Sequence, residues 1–444
     1  MIRKILIFFV FLIALVILPI FYCSSNINNL FNAVVSGDKE NFDESYAKTK
    51  YCFGNNDLLS NLPRFLSGKY LVLLQNNYEL RPTGGFMGSY AIITFEGGVL
   101  KNWEVQDIYT PDGQIEGHVP PLVPFQQAFK TGDWRLPNSN WNPNFPDAVD
   151  DMLWFFAKGG VGDIDGVIAV NFELFEKLIQ IVGPFKPYDF DEEVNIDNFY
   201  ELAQGTAEDN FFPGSRAKKN YLSGVATTLF DKIPALSIIQ KLKVVKLLLG
   251  QLSEGQILLW NKDVVLQNQL SQYQWTGELL PYTFDYFYLV EANLGVNKAN
   301  CCIEREIIHQ ITTGDVTTNS STIVFKNNSD VSVNRFSGDY YNYQRILIPS
   351  TAQVKSVKVG DIEYTKSLGK DRDNPPALET DYEFEENIAG KYKSVGFWVV
   401  VPVATRVGVA ITYELKSNAN YSLVTQFQPG VYSRNHSTIV NPNE

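Results

Sequence analysis

The sequence predicts a mixed α/β domain, a sheet with helices, followed by an all-β sandwich, behind an N-terminal transmembrane helix. Three observations predict it. An uncharged apolar run near the N-terminus is long enough to span a bilayer. Apolar strands and helical stripes then alternate up to about residue 280, as in α/β layers. Beyond that point strand-like runs separated by turn clusters take over. The boundaries read as an anchor at 1–23, a stalk or lead-in at 24–68, an α/β domain at 69–280, a β-sandwich at 281–430 and a disordered tail at 431–444.

Arg3 and Lys4 precede the run from Ile5 to Tyr22, which is about 18 residues and so just spans a membrane. Bulky Phe21 and Tyr22 stand where cleavage of a signal peptide needs small residues,. The run therefore reads as an uncleaved anchor. The two cations favour a cytoplasmic N-terminus and an extracytoplasmic body on a single-pass membrane protein. The net charge of −12 excludes a nucleic-acid partner, because phosphate neutralisation needs clustered cations. Three His exclude a His-rich metal site,. The four Cys show no C-x-x-C spacing,. Cys52 pairs with Cys301 or Cys302 in an oxidising compartment, or all four are free thiols,.

Residues 24–68 are polar and Asn-rich, with helical hints from Leu30 to Val35. Tyr70 to Leu74 is a continuous apolar run, the pattern of a strand buried on both faces,. Tyr90 to Phe95 is the next strand, and Gly97-Gly98 turns it into a hairpin,. Pro146 and Asp147 open a helix whose stripe is Val149, Met152, Leu153 and Phe156,. A buried strand at Asp165–Val170 and a helix from Phe172 to Val182 follow, the helix ending at Gly183-Pro184,. Helices are predicted over Asn198–Ala207, Lys218–Phe230 and Ala235–Leu252, then a return strand at Ile257–Trp260. The later strands are Tyr286–Val290, Thr322–Phe325, Arg345–Ile348, Val354–Val359, Gly396–Val401 and Val407–Leu415.

Candidate ligand-binding residues cluster around the first strand pair. Arg81 lies at the exit of a buried strand, two residues after Glu79 and beside Gly84 and Gly85. It is placed to take a phosphate or carboxylate bidentately, with loop N–H groups assisting. The alternative is a buried Arg–carboxylate or Arg–carbonyl bond that fixes the loop. Arg135 and Arg216 are cations that can face the same cleft, as are Lys218 and Lys219. Asp107 and Asp112 are carboxylates suited to a metal, to general-base work or to turn capping,. Trp134 and Trp141, with Phe145, either stack on sugar rings or pin their loop to the core,. No metal site is assigned.

Several blocks resemble domain-of-unknown-function family 4012. They are the run from Leu73 to Tyr90, Asn140-Trp-Asn-Pro-Asn-Phe-Pro, Asp165-Gly-Val-Ile-Ala-Val, Gly183-Pro, Trp275-Thr-Gly-Glu and Asn342-Tyr-Gln-Arg-Ile-Leu-Ile-Pro. The resemblance covers roughly residues 68–430 and implies a bacterial membrane-anchored surface protein of no established activity. The α/β half is also distantly similar to the LytR-CpsA-Psr enzymes. That likeness implies transfer of polyprenyl-pyrophosphate-linked glycopolymers, with arginines and a divalent metal such as Mg. The departures are specific. No Asp follows Arg81, and the family's acidic Asn-Trp motif stands here as Pro137-Asn-Ser-Asn-Trp-Asn-Pro-Asn, with Asn in place of both metal-holding acids,.

Two functions follow. One is a cell-envelope module that binds a polymer or partner and needs no cofactor. The other is a transferase that holds a polyprenyl phosphate and a cell-wall glycopolymer. Arg81, Arg135 and Arg216 converging on an apolar tunnel favours the transferase, since a polyprenyl chain needs a dry channel. A filled core with scattered arginines favours the module.

Overall fold

The computed structural model describes residues 22–53, 57–208, 217–369, 374–416, 420–431 and 435–442. The anchor read at Ile5–Tyr22 lies outside them except for Tyr22. Among the described residues no helix is long and apolar enough to cross a membrane.

The first half is a mixed five-stranded sheet. Its strands are β1 (Gly68–Asn76), β2 (Phe86–Glu96), β3 (Val99–Asp107), β4 (Gly166–Asn171) and β5 (Ile257–Asn261), in the order β3-β2-β1-β4-β5. β1 is central, antiparallel to β2 and parallel to β4. Leu71 and Leu73 pack on one face against the helix Phe145–Lys158. Val72 faces the other way, toward the helices Glu173–Val182 and Ile238–Ser253. A strand covered on both sides has no reason to alternate, hence its unbroken apolar run. The β2–β3 turn uses Gly97 and Gly98 at φ 58° and 96°. A Cβ on Gly98 would lie 2.1 Å from the Phe42 ring.

That ring belongs to a folded lead-in rather than a stalk. A helix over residues 22–36 and the helix Lys39–Phe53 form a hairpin. Leu30, Ala33 and Phe42 bury themselves on Val99 of β3. A disulfide between Cys23 and Cys52 ties the two helices. The expected bond from Cys52 to Cys301 or Cys302 is therefore not made: those two neighbours bond to each other, and no described cysteine is free. The antiparallel hairpin supplies Cys52 with a partner 29 residues away.

Three helices are predicted between Asn198 and Leu252, and the observed bounds are Phe199–Glu208, Ala217–Ala235 and Ile238–Ser253. The last begins later than the sequence suggests. Ser237 caps it, its hydroxyl accepting from the Gln240 amide while the Gln240 side chain returns to the Ser237 N–H. Ser237→Ala is expected to cost about 1 kcal/mol at this helix start. Hydrogen exchange at residues 238–241 reads it, and unchanged protection would contradict it.

The second half is one curled ladder of 11 strands rather than two separate sheets. The strands are β6 (Asp285–Asn293), β7 (Ile303–Thr313), β8 (Val316–Asn327), β9 (Tyr340–Pro349), β10 (Gln353–Val359), β11 (Ile362–Lys366), β12 (Glu383–Ala389), β13 (Tyr392–Val401), β14 (Arg406–Lys416), β15 (Leu423–Gln426) and β16 (Asn435–Pro442). A short parallel link, Thr365–Lys366 beside Glu383–Phe384, joins the limb of β6, β9, β13 and β12 to the limb of β10, β14, β8 and β7. The curl brings Phe287, Ile346 and Val395 of one limb onto Ile307, Ile323 and Ile411 of the other. The segment read as a disordered tail carries β16, paired in parallel with β7.

Candidate functional site: the cleft between the halves

The glycine loop after β1 folds into a seam rather than around an opening. Arg81 is 1% exposed. Its Nε donates to Asn138 Oδ1, its Nη1 to the carbonyls of Leu80 and Asn293, and its Nη2 to Glu79 Oε1 at 3.1 Å. Glu79 also accepts from Lys298 Nζ at 2.6 Å. Asn293 and Lys298 belong to the β half, and Gln428 donates back to the Arg81 carbonyl. Arg81 and Glu79 therefore bolt the two halves together. Burial pulls the Arg81 guanidinium below its usual range while Glu79 beside it opposes that.

The glycines serve the same packing. Gly84 has φ 134°, and a Cβ there would lie 2.3 Å from Asn171 Oδ1 and 2.5 Å from Gln75 Oε1. A Cβ on Gly85 would lie 2.3 Å from the Asn76 backbone. A loop packed this tightly leaves no cradle for an anion.

The other expected members do not converge on Arg81. Arg135 is exposed and faces Asp133 at 3.8 Å. Asp107 accepts from the Tyr109 N–H and caps a turn. Asp112 is buried and accepts from the Leu136 N–H at 2.9 Å, with burial raising its carboxyl. Arg216 lies outside the described residues, as do the side chains of Lys218 and Lys219. Among the described residues no group of three or more His, Cys, Asp or Glu side chains is gathered as a metal would need.

The aromatic loop does reach an opening. A cleft of about 520 Å³ separates the start of the helix Phe145–Lys158 from the outer face of β9, β13 and β12. Trp134, Trp141, Asp147 and Asp151 line the α/β side. Tyr343, Arg345, Glu385, Asn387 and Tyr392 line the sheet side. Their alignment follows from the ladder. Arg345 of β9 lies opposite Gly396 of β13, which lies opposite Glu385 of β12. The glycine makes room for the Tyr343 hydroxyl, which donates to Glu385 Oε2 at 3.4 Å. A Cβ there would lie 2.5 Å from the Tyr343 hydroxyl. The next row places Asn387 beside Ser394.

Arg345 ties the two walls. Its Nη2 donates to the Trp141 carbonyl at 2.7 Å, and its guanidinium stacks 4.4 Å from the Trp141 ring centre. Its Nε is buried without a hydrogen-bond partner. Burial lowers the guanidinium to about 10. Trp141 also contacts Phe125 edge-on and stacks with Tyr343. Burial raises the Asp151 carboxyl, and Asp150 and Asp147 add to the shift. Trp134 donates its indole N–H to Asn138, so it is both rim and support.

The sequence reading reached Trp134 and Trp141 but not Arg345, Glu385 or Asn387. On that side the block Asn342-Tyr-Gln-Arg carries the family resemblance but no pattern that marks a site.

The model of the protein family of unknown function DUF4012 matches residues 67–207. Among solved structures, the Lin1025 protein from Listeria innocua aligns at 13% identity over 47% of this chain and 79% of its own, with a TM-score of 0.27. TagV from B. subtilis aligns at 15% identity over 47% of this chain and 80% of its own, with a TM-score of 0.26. A Legionella pneumophila protein described as nutrient binding aligns at 9% identity over 30% of this chain, with a TM-score of 0.20, and the chain spans only 44% of that protein. At these TM-scores the likenesses carry no weight for the chemistry of this chain. No curated protein matches it.

Proposed function

We propose that this chain is a membrane-tethered, extracytoplasmic module that binds a cell-envelope glycan in the cleft between its halves. The observation that carries the reading is the cleft lining: the part-exposed indoles of Trp134 and Trp141 as apolar edges, with Arg345, Glu385 and Asn387 as hydrogen-bonding groups around them. Sugar rings present apolar faces to aromatics and hydroxyls to planar polar side chains. The match to DUF4012 over residues 67–207 supports the same reading. So do two disulfide bonds, which persist in oxidising compartments,.

Charge narrows the ligand. Asp147, Asp151 and Glu385 outnumber Arg345 in the lining. A phosphate-rich polymer meets repulsion there, so the preferred ligand is an uncharged or amine-bearing glycan. The transferase reading finds less support. Arg81 is sealed in the seam, Arg135 faces solvent, and the cavity beside Gln75, Ser89 and Phe172 holds only about 30 Å³.

Trp141→Ala is expected to weaken binding of purified cell-wall glycan about tenfold, by removing an aromatic contact of the rim and the ring that holds Arg345 in place,. Because Trp141 also packs on Phe125 and Tyr343, a second variant is informative. Asn387→Trp places bulk at an exposed position on the rim and is expected to block binding with an unchanged melting temperature. Calorimetric titration with neutral glycan and with a polyphosphate polymer reads both. Wild-type affinity in the two variants, or binding of the polyphosphate alone, would overturn the proposal.

A further inference from the structure

The helix Ile238–Ser253 is apolar on two faces. Val244 is buried toward the sheet, with Leu247, Leu248 and Leu252 packed beside it. Yet Ile239, Leu242 and Leu249 are 66%, 53% and 47% exposed. Leu242, Val245 and Leu249 recur at helical spacing and form one outward stripe with Ile238,. A surface helix normally keeps its outer face polar. Here the stripe is flanked by Lys241 on one side and Lys246 on the other, with exposed Lys243 beyond.

The helix also has a defined neighbour. Lys241 Nζ donates to Asn28 Oδ1. Asn28 lies six residues beyond Tyr22, where the apolar N-terminal run ends. Along a helix that is about 9 Å. The polar headgroup layer on each side of a bilayer is roughly 5–8 Å deep. A helix at that level, with an apolar stripe between lysines, has the design of an element lying in the interface.

We propose that Ile238–Ser253 docks on the lipid surface next to the anchor, its stripe inserted at the headgroup boundary and its exposed Lys243 and Lys246 on anionic headgroups. This rests on the membrane-tethered reading and adds to it: the body lies against the membrane instead of hanging from a free stalk. The lysines supply charge complementarity to anionic lipid in a chain that is otherwise acidic,.

The test uses the full chain in vesicles of phosphatidylglycerol and phosphatidylethanolamine. Nitroxide labels are placed at Leu242→Cys, Leu249→Cys and, as an aqueous control, Lys358→Cys on exposed β10. The ratio of oxygen to nickel-chelate accessibility at 242 and 249 is expected to rise roughly threefold above the control, as for side chains at the acyl boundary. Lys243→Glu with Lys246→Glu is expected to abolish the rise. A chain that floats with the vesicles while both labels match the control keeps the tether and overturns the docking. Labels shielded from both reagents mean that protein covers the stripe, either residues 1–21 or a second copy, and also overturn it. A chain that fails to float overturns both readings.

Discussion

Arg81→Ala is expected to lower stability by about 3–5 kcal/mol, the range for breaking a buried ionic contact. It is also expected to leave glycan affinity unchanged in the fraction that stays folded. The guanidinium serves four acceptors, and two of them, the carbonyls of Leu80 and Asn293, are buried main-chain groups. Removing it takes a donor from both carbonyls, of which that of Leu80 keeps the Asn293 N–H, and opens a space against the Phe86 ring, over which Arg81 sits at 5.3 Å,. Glu79 keeps Lys298, which moderates the loss. Arg81→Lys is not expected to rescue, because a single ammonium cannot reach acceptors spread around a planar fork. Thermal melting and calorimetric titration separate the outcomes. A variant that melts like the wild type but loses ligand would make Arg81 a binding residue after all.

The location of Arg81 was legible in the sequence, but its job was not. A buried run leading into a polar cluster and three glycines marks a strand exit, and that is what the structure has. The partners Asn293, Lys298 and Gln428 lie more than 200 residues away, and no local pattern announces them. The α/β half was readable because its elements are regular: the stripe on Phe145–Lys158 and the glycine stop of Glu173–Val182 are local signals,. β7 was missed for a physical reason. Its inward positions are Ile303, Arg305, Ile307, His309 and Ile311, so two polar residues interrupt the apolar alternation that marks a strand. Arg305 is inside because it pairs with Glu291, its Nε 2.6 Å from Oε1. β16 was missed because its residues from Asn435 to Asn441 are exposed. It is held by main-chain pairing with β7, which leaves no side-chain signature. The cleft escaped because its floor depends on register. Arg345, Gly396 and Glu385 become neighbours only when three strands are aligned.

His309 is expected to make the protein acid-labile through a single titration. It is fully buried on β7. Its Nδ1 lies 2.6 Å from Ser321 Oγ, and that hydroxyl leads through Asn319 to the buried carboxylate of Asp285. Its Nε2 has no partner. The ring packs against Phe287 and, across the β7–β16 pairing, against His436. Burial, with the nearby His436 adding to it, pushes the imidazole down to about 3 from its ordinary 6.5. The unfolded chain therefore takes up a proton below pH 6.5 that the folded chain refuses until about pH 3. Stability is fully present above 6.5 and is lost as pH falls through that window. Between pH 6.5 and about 4.5 this one group removes roughly 2 kcal/mol. His309→Gln keeps a hydrogen bond to Ser321 within reach and removes the titration. The loss of stability from pH 7 to about 4.5 is then expected to be smaller than in the wild type by that same amount, read from urea midpoints at the two pH values. Carboxylates titrate alike in both chains and cancel in the difference. Equal pH dependence in the two proteins would mean that His309 is already protonated in the fold, with the β7–β16 edge open to water.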